Sequence, residues 1–574
     1  MEAEFQVRSQ QAIKKFAGRN YGSTAFENEK RSYPIAMMDF LAGNQKKAIA
    51  FLQAEDADAD MNAHTLGIDF YSSFTLKGQV RKYFYFGKYL DPSYRQRMKK
   101  AMAILTQKDP ITRTFNSPRR FWIKSTDNCK TWVDCRNTDN LKAMRKVAVY
   151  LFAEEAGNEE TRNIYKERIR RNVRTLYQIG QGEWDSETYL GHTITAYINL
   201  YDFAQDAEVK SIAKSALDWY FTSGALKYWR GGFGGPSKRD YSRGNCVWCS
   251  LAAHELGLYF GDSPLADPEP SPDQVHLITS SYRPPLAVVA LARKQFKKPL
   301  ELLNSKPTYE TWKPGGDAAP HFYETLYFGH TFQLGTLAQG SGGDWNGFKM
   351  MAFNQGRGVD YFIAATGTNS RISTSSVGGD NVAQYRNLVI WLNDKPLVPF
   401  QFFLPKSALI ETRKGVTFIR YEKTWLALTP INLQIQGVNL TATQEIQPRY
   451  PNDQIMTAVG TGKTVTGFAL EVGEKEIYKS WENFKQSVVS KSRLNLEQIN
   501  RGEVEYQGVF GKVKLQYQSV GLPKVWRNGL QHNWRQHFAV YQSADGNKSP
   551  IYQGWKEGKL RIEAGMKPIE IASP

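Results

Sequence analysis

Apolar and polar positions along the chain follow two different periods. Up to about residue 303 apolar residues recur every three or four positions, the helical period; from His321 onward they alternate, the period of half-buried strands. Leu141, Met144, Val147, Ala148 and Leu151 mark one helix. Gly157 reads as its stop, and Asn158 with Glu159 and Glu160 starts another that runs to about Ile179. Leu190, Ile194, Tyr197, Ile198 and Tyr201 mark a third, for which Asp185 or Ser186 would be the N-cap. Beyond the short break Gln205-Asp206, a fourth carries Val209, Ile212, Ala213, Ala216, Leu217 and Tyr220. A loop with Gly231, Gly232, Gly234 and Gly235 precedes a helix through Val247, Trp248, Leu251 and Leu256. Ile35 to Gln53, Tyr94 to Leu105 and Pro285 to Phe296 are also expected to be helical.

Short links between helices imply antiparallel neighbours. Counting alternately, the helices starting near Asn140, Ser186 and Asn245 begin at the same end of the stack. The turns at Gly157 and Gln205 are tight, whereas 180–185 and 224–244 are longer and richer in polar and aromatic residues, as functional loops tend to be. That end is expected to gather Asn137-Thr138-Asp139-Asn140, the stretch Glu183 to His192, and Arg239-Asp240-Tyr241-Ser242-Arg243. Gly182 to His192 is the densest of these, with three carboxylates, two aromatics and one of the eight histidines of the chain. At 100° per residue His192 falls opposite the apolar stripe, beside Thr195 and Asn199, which predicts a polar-face histidine rather than a core one.

The Pro-rich stretch 262–283 reads as an excursion or linker. Strand grammar then appears in Phe322 to Tyr327, Thr417 to Tyr421, Thr424 to Leu428 and Lys559 to Ile571, with one helix expected near Ser480 to Val489. Chain order thus predicts helical hairpins over 1–303, a linker over 304–320, and antiparallel stacked sheets over 321–574.

Composition narrows the function. A chain of 574 residues exceeds one core and implies two domains or three. Fourteen Trp and thirty Tyr suit sugar clefts, although packing accounts for most such rings. No apolar run reaches membrane-span length. The start Met1-Glu2-Ala3-Glu4 lacks a signal-peptide core; a secreted or periplasmic protein with its signal removed is the preferred expectation, with a cytosolic start as the alternative. The net charge of +18 implies a polyanionic partner. Basic residues occur in small groups (Arg119-Arg120, Arg168 with Arg170-Arg171, Lys297-Lys298), without a basic arm, zinc-finger spacing or phosphate loop. An acidic polysaccharide is therefore expected and a nucleic acid is not. The cysteine pairs Cys129/Cys135 and Cys246/Cys249 suit buried thiols or a disulfide better than a structural metal, and no cofactor is expected. The number of subunits is left open.

Helical hairpins followed by antiparallel sheets resemble the polysaccharide lyases of the (α/α) toroid plus β-sandwich type, in particular the heparinase II/III-like and alginate-lyase-like groups. The residues that carry the resemblance are Trp184 to His192, Arg239-Asp240-Tyr241, and His321-Phe322-Tyr323-Glu324-Thr325-Leu326-Tyr327-Phe328-Gly329-His330, with Thr417 to Arg420 and Gly467 to Val472. It implies an (α/α) toroid, a β-sandwich, and β-elimination on a uronate-containing polymer without an obligatory metal. A toroid histidine followed some fifty residues later by a tyrosine with a neighbouring arginine maps onto His192, Tyr241 and Arg239 as catalytic residues. A second histidine, often from the β domain, maps onto His321 or His330. Asn137, Glu183, Trp184, Glu187, Tyr189, Arg243 and His330 are the expected substrate-binding residues. Two positions depart from the family pattern. Gly191 stands where many relatives carry Asn, and Glu187 precedes the histidine where the heparinase-like group has an acid after it.

Elimination requires that the substrate carboxylate be neutralised, that a base take the C5 proton, and that an acid protonate the departing O4. Arg239, Asn137 or a protonated Glu187 could do the first. Tyr241 and His192 could divide the other two, the nearby arginines favouring phenolate at Tyr241. The density of acids among Glu183, Asp185, Glu187 and Asp139 supports an alternative, a glycoside hydrolase with paired carboxylates. A third reading is a binding protein that keeps the architecture without the chemistry.

Overall fold

The computed structural model describes the chain except for residues 23–27, 55–63, 71–73, 108–138, 240–249, 262–270, 308–319, 340–344, 367–378, 439–452, 463–464, 535–538 and 547–548. Helices Phe74–Phe84, Asp139–Ala156 and Leu190–Phe203 are buried on nearly all sides and pack against one another as an inner layer. Pro92–Thr106, Glu159–Ile179 and Ala207–Lys227 pack behind them as an outer layer. This is the alternation of an (α/α) toroid. Glu159–Ile179 shows why an outer helix forms: Tyr165, Ile169, Val173 and Leu176 share its buried face while its arginines look outward. Gly180, with φ +81°, ends it in a conformation that glycine adopts without strain.

Several helix boundaries differ from expectation. The expected helix over Ile35 to Gln53 is two helices, Asn28–Leu41 with Pro34 inside it and Gln45–Gln53. The third hairpin helix begins at Leu190, and neither Asp185 nor Ser186 caps it. Asp185 has φ +53° and turns its carboxylate to two lysines, while the Ser186 hydroxyl accepts from the Tyr189 amide. Because Leu190–Phe203 lies in the inner layer, the face opposite its apolar stripe is also covered, and His192 is only 2% exposed. The tail of the expected Pro-rich linker is not one: Gln274–Ile278 is a helical turn that inserts Val275, His276 and Leu277 into the helical core.

The β half has three layers. An eight-stranded antiparallel sheet faces a six-stranded one across a core of Phe348, Phe362, Phe402, Trp391, Leu426 and Phe468. A five-stranded sheet packs through Val504, Tyr506, Val513, Leu515 and Val525 on the other side of the six-stranded one. The helix Trp481–Lys491, capped by Ser480, covers the remaining outer surface through Phe484 and Val488. The eight-stranded sheet starts before residue 304, because Leu300–Lys306 pairs with Phe322–Phe328 as its edge strand. The chain end returns to the helices: Val540, Tyr541, Ile551, Leu560 and Ile562 join the helical core. No described helix is long and apolar enough to cross a membrane.

Asp380, at the start of the strand Asp380–Tyr385, gives the β half a pH dependence. It is buried and accepts hydrogen bonds from Asn393 Nδ2 (2.6 Å) and Thr366 Oγ1 (2.9 Å). Burial pushes its carboxyl from 3.8 up to about 7. A raised folded pKa stabilises fully below about pH 4, and the stabilisation is lost as pH rises through about 7, because only the unfolded chain releases the proton in that window. Asp380→Asn, which keeps the shape and one donor, should therefore flatten the fall in thermal midpoint between pH 4 and 7, by up to roughly 4 kcal/mol of differential stability. Identical slopes for the two proteins in thermal melts across that range would show that Asp380 stays ionised in the fold.

Candidate functional site

Three helix beginnings meet at one corner. The Glu183 amide donates to Asp139 Oδ2 (2.9 Å), and the Asn140 amide returns a bond to Glu183 Oε2 (3.1 Å). The Ala252 amide, at the start of Leu251–Phe260, donates to the Glu187 carbonyl (3.1 Å). Burial pushes the Asp139 carboxyl up to about 6, although the backbone donor of Glu183 opposes this.

Within the corner, Tyr189 joins two expected site residues. The Arg239 guanidinium lies 4.9 Å from the centre of its ring, and the His192 imidazole 6.2 Å. Arg239 Nε is also 3.4 Å from Glu183 Oε1, and the Ser186 hydroxyl contacts the Arg239 carbonyl at 3.4 Å. The backbone of Arg239 has φ +66°, an unusual conformation for a side-chain-bearing residue. Thr188 and Tyr189 are half-buried and form the open side of the corner.

His192 is oriented from beneath. Its Nδ1 is 2.9 Å from Asp273 Oδ2 and 3.2 Å from Lys77 Nζ, and Lys77 is itself ion-paired with Asp273. The Phe74 ring packs on the imidazole at 4.7 Å. Burial alone would raise the Asp273 carboxyl, but the Lys77 ammonium and His192 outweigh it and hold the acid well below the usual carboxylate range. A fixed Asp273 carboxylate at Nδ1 selects the tautomer with its proton there and directs Nε2 away from it. Beside this pair, burial and the Asp273 charge push the Glu255 carboxyl well above its ordinary value. His276 is driven the other way, by burial and by the Arg81 guanidinium.

Asp273, Lys77 and Glu255 are absent from the sequence reading. The one signal for Glu255 was an acid inside the apolar run Leu251 to Phe260. Asp273 lay in the middle of the stretch 262–283 expected to be an excursion or linker. Glu255 also explains the first departure from the family pattern: a Cβ on Gly191 would lie 2.6 Å from Glu255 Oε2, so the buried carboxyl occupies the space of a side chain there.

Other expected site residues have different surroundings. Asp185 is ion-paired with Lys306 (2.7 Å) and lies 3.4 Å from Lys227, which also pairs with Glu324. Burial opposes ionisation of Asp185, and the two lysines overcome it. Glu187 is ion-paired with Lys349, which burial draws down to about 7. These carboxylates, with Glu183 and Asp139, are buried and bonded to the chain itself rather than presented as an acid and base pair. Trp184 packs on Phe322 and Leu337 at 2% exposure, so its ring seals the junction between helices and sheet and offers no platform for a sugar. His330 lies in the turn beyond Phe328, the opposite end of a strand whose first residue touches Trp184, and does not join the corner. His321, at the near end, packs edge-to-face against Phe322. Asn137, Tyr241, Arg243 and both cysteine pairs lie outside the described residues. Among the described residues no group of three His, Cys, Asp or Glu side chains is arranged to hold a metal ion.

No family model matches the chain, and no curated protein matches it. Among solved structures it overlaps with a crystal structure of heparinase III, at 8% identity over 92% of this chain and 90% of that one, with a TM-score of 0.40. It also overlaps with a heparan sulfate lyase HepC mutant from Pedobacter heparinus, at 8% identity, the same coverages and a TM-score of 0.35. Overlaps this loose carry no argument about the site, which stands on the geometry of this chain.

The contact between Gly191 and Glu255 is open to test. Gly191→Ala should destabilise the protein by about 1–3 kcal/mol, the usual cost of overpacking a filled site. Adding Glu255→Ala should recover part of that loss, giving a clear coupling energy in denaturant melts of the four proteins. Strict additivity would show that the carboxyl does not fill the place of the missing side chain.

Proposed function

We propose that the chain is a polysaccharide lyase that cleaves a uronate-containing polymer by β-elimination. The observation that supports it best is the joint held by Tyr189, with Arg239 on one side and an Asp273-oriented His192 on the other. That joint supplies a cation for a substrate carboxylate and an imidazole with a fixed proton inventory. In the sequence Tyr241 follows Arg239 by two residues.

In this reading Arg239, with Asn137, neutralises the uronate carboxylate and so acidifies the C5 proton. Tyr241 and His192 divide the proton transfers: one takes the C5 proton, and the other delivers a proton to O4 as the C4–O4 bond breaks and the C4=C5 double bond forms. Asp273 stabilises the imidazolium whenever His192 carries the extra proton. Arg243 is assigned a second contact to the anionic polymer. A polymeric substrate fits a secreted or periplasmic enzyme. Paired-carboxylate hydrolysis has less support, since Glu183, Asp185, Glu187 and Asp139 are committed to partners within the chain.

Turnover on a panel of acidic polysaccharides, followed by the ultraviolet absorbance of the unsaturated sugar end, tests the proposal. Tyr241→Phe and His192→Gln should each lower it by about 10²- to 10⁴-fold with the fold intact by circular dichroism. Asp273→Asn should lower kcat with little change in KM, because it disturbs the orientation of the imidazole rather than sugar binding. New reducing ends without the absorbance would replace elimination by hydrolysis. Unchanged turnover in either of the first two variants would remove that residue from the chemistry.

A further inference from the structure

The outer face of the five-stranded sheet carries a feature that its fold does not need. Its inner face is apolar and buried through Val504, Tyr506, Val513, Leu515 and Val525. In such a sheet the outward positions are expected to be polar throughout. Trp526 breaks the rule: it projects outward, half-buried, on the strand Lys524–Arg527, whose inward residue is Val525.

The register places Trp526 in a cross-strand row. Asn495 is opposite Glu505, Glu505 opposite Lys514, Lys514 opposite Trp526, and Trp526 opposite Gln531. The row crosses five strands, about 19 Å at the usual interstrand spacing, and that length suits several units of a linear glycan. Next to Trp526 is a cleft of about 170 Å³ lined by Glu505, Lys512, Lys514, Trp526 and Gly529. At roughly 30 Å³ per water it has the bulk of a single sugar unit. Gly529 closes an Asn-Gly turn with φ +85°, and the absence of a side chain there leaves one wall low.

The cations around the cleft are held loosely. Lys514 lies over the Trp526 ring at 4.7 Å and pairs with Glu503 at 2.6 Å, and Lys512 pairs with Glu505 at 3.4 Å. All four charged groups are partly solvated, and pairs of that kind contribute little, so a ligand anion can take the place of either glutamate at small cost. Once Lys514 turns from the Trp526 ring to a ligand's acid group, a flat ring for the apolar face of a sugar, two lysines for its acid group, and Glu505, Asn495 and Gln531 for its hydroxyls form a complementary set.

We propose that this face is a second binding surface for an acidic glycan, with Trp526 as the stacking platform and Lys512 and Lys514 as the carboxylate or sulfate contacts. It rests on the substrate class of the lyase reading and lies on the third sheet layer, away from the helical corner. Native gel electrophoresis of the full chain in gels cast with alginate, hyaluronan or heparin, and with neutral dextran as a control, tests it. The wild type should be retarded by at least one acidic polymer and not by dextran, and Trp526→Ala should weaken that retardation about tenfold. Lys512→Glu should weaken it as well, and raised salt should weaken it for the wild type. Equal retardation of both variants and the wild type, no retardation in any acidic gel, or retardation by dextran as strong as by the acidic polymers would overturn the proposal. Turnover by the wild type is read separately. Binding that depends on Trp526 in a chain that cleaves nothing leaves this surface standing and ends the lyase reading; cleavage with binding indifferent to Trp526 does the reverse.

Discussion

The fold depends on charges buried where the helices meet the eight-stranded sheet. Asp185, Lys227, Lys306 and Glu324 are almost wholly shielded from water, and so are Glu187 and Lys349. Each ion taken from water costs several kcal/mol, and only close, complete pairing offsets it. Asn304 Nδ2 donates to Glu324 at 2.8 Å, and the Ser223 hydroxyl donates to Asp185 at 2.8 Å while contacting the Tyr541 hydroxyl at 3.0 Å. The set therefore holds one arrangement: a shifted sheet would strand an acid or a lysine without its counter-charge. Three parts of the chain, the Gly182–His192 segment, the strands Leu300–Lys306 and Phe322–Phe328, and the returning C-terminal segment, are fixed by the same few ions. The corner with Tyr189, Arg239 and His192 is built on the first of these.

That use of charge also changes the meaning of the net +18. Lys77, Arg81, Lys227, Lys306 and Lys349 are buried and answer internal acids or carbonyl groups. Their charge does not reach solvent as a field for a distant polyanion. Attraction over longer distances comes from residues at the surface, and there the geometry of each cation counts for more than the sum. Lys512 stands partly solvated beside a cleft, whereas Arg162, Arg170 and Arg171 of Glu159–Ile179 pair with the neighbouring acids Glu159, Glu167 and Glu208.

Helical hairpins and antiparallel strands were legible because both are set by local periodicity. Gly157 and the break at 205–206 marked tight turns, and alternate counting brought to one end the starts expected near 140, 186 and 245, where the helices begin at Asp139, Leu190 and Leu251. Features decided by distant partners were not legible. Asp185 has the sequence look of an N-cap, but its position is set by Lys227 and Lys306, of which the second is 121 residues away. Leu300–Lys306 lacks alternation because both its faces are covered, so it read as the end of the helical domain and the start of a linker. His192 was assigned to a polar face on angular position, a rule that holds for an outer helix and fails for an inner one. Trp184 carried the signature of a sugar platform, yet Phe322, brought from the β half, closes over it.

How the buried cluster shares its protons bears on the chemistry available at His192. Two carboxyls, Asp273 and Glu255, lie close together, and two adjacent buried anions cannot both ionise without large cost. Lys77 contacts Asp273, which favours the charged form of that acid, while burial and the Asp273 charge push Glu255 toward its neutral form. His276 stays neutral against Arg81, which adds no second cation to the cluster. The anion left beside Nδ1 is thus spoken for by Lys77 only in part, and it can stabilise an imidazolium formed at His192. Glu255, in the place of Gly191's missing side chain, supplies bulk while burial and Asp273 push it toward its neutral form. The residues that set the charge beside His192 therefore include none of the acids that crowd its own segment; Lys77, Glu255 and Asp273 each lie more than sixty residues from it in the chain.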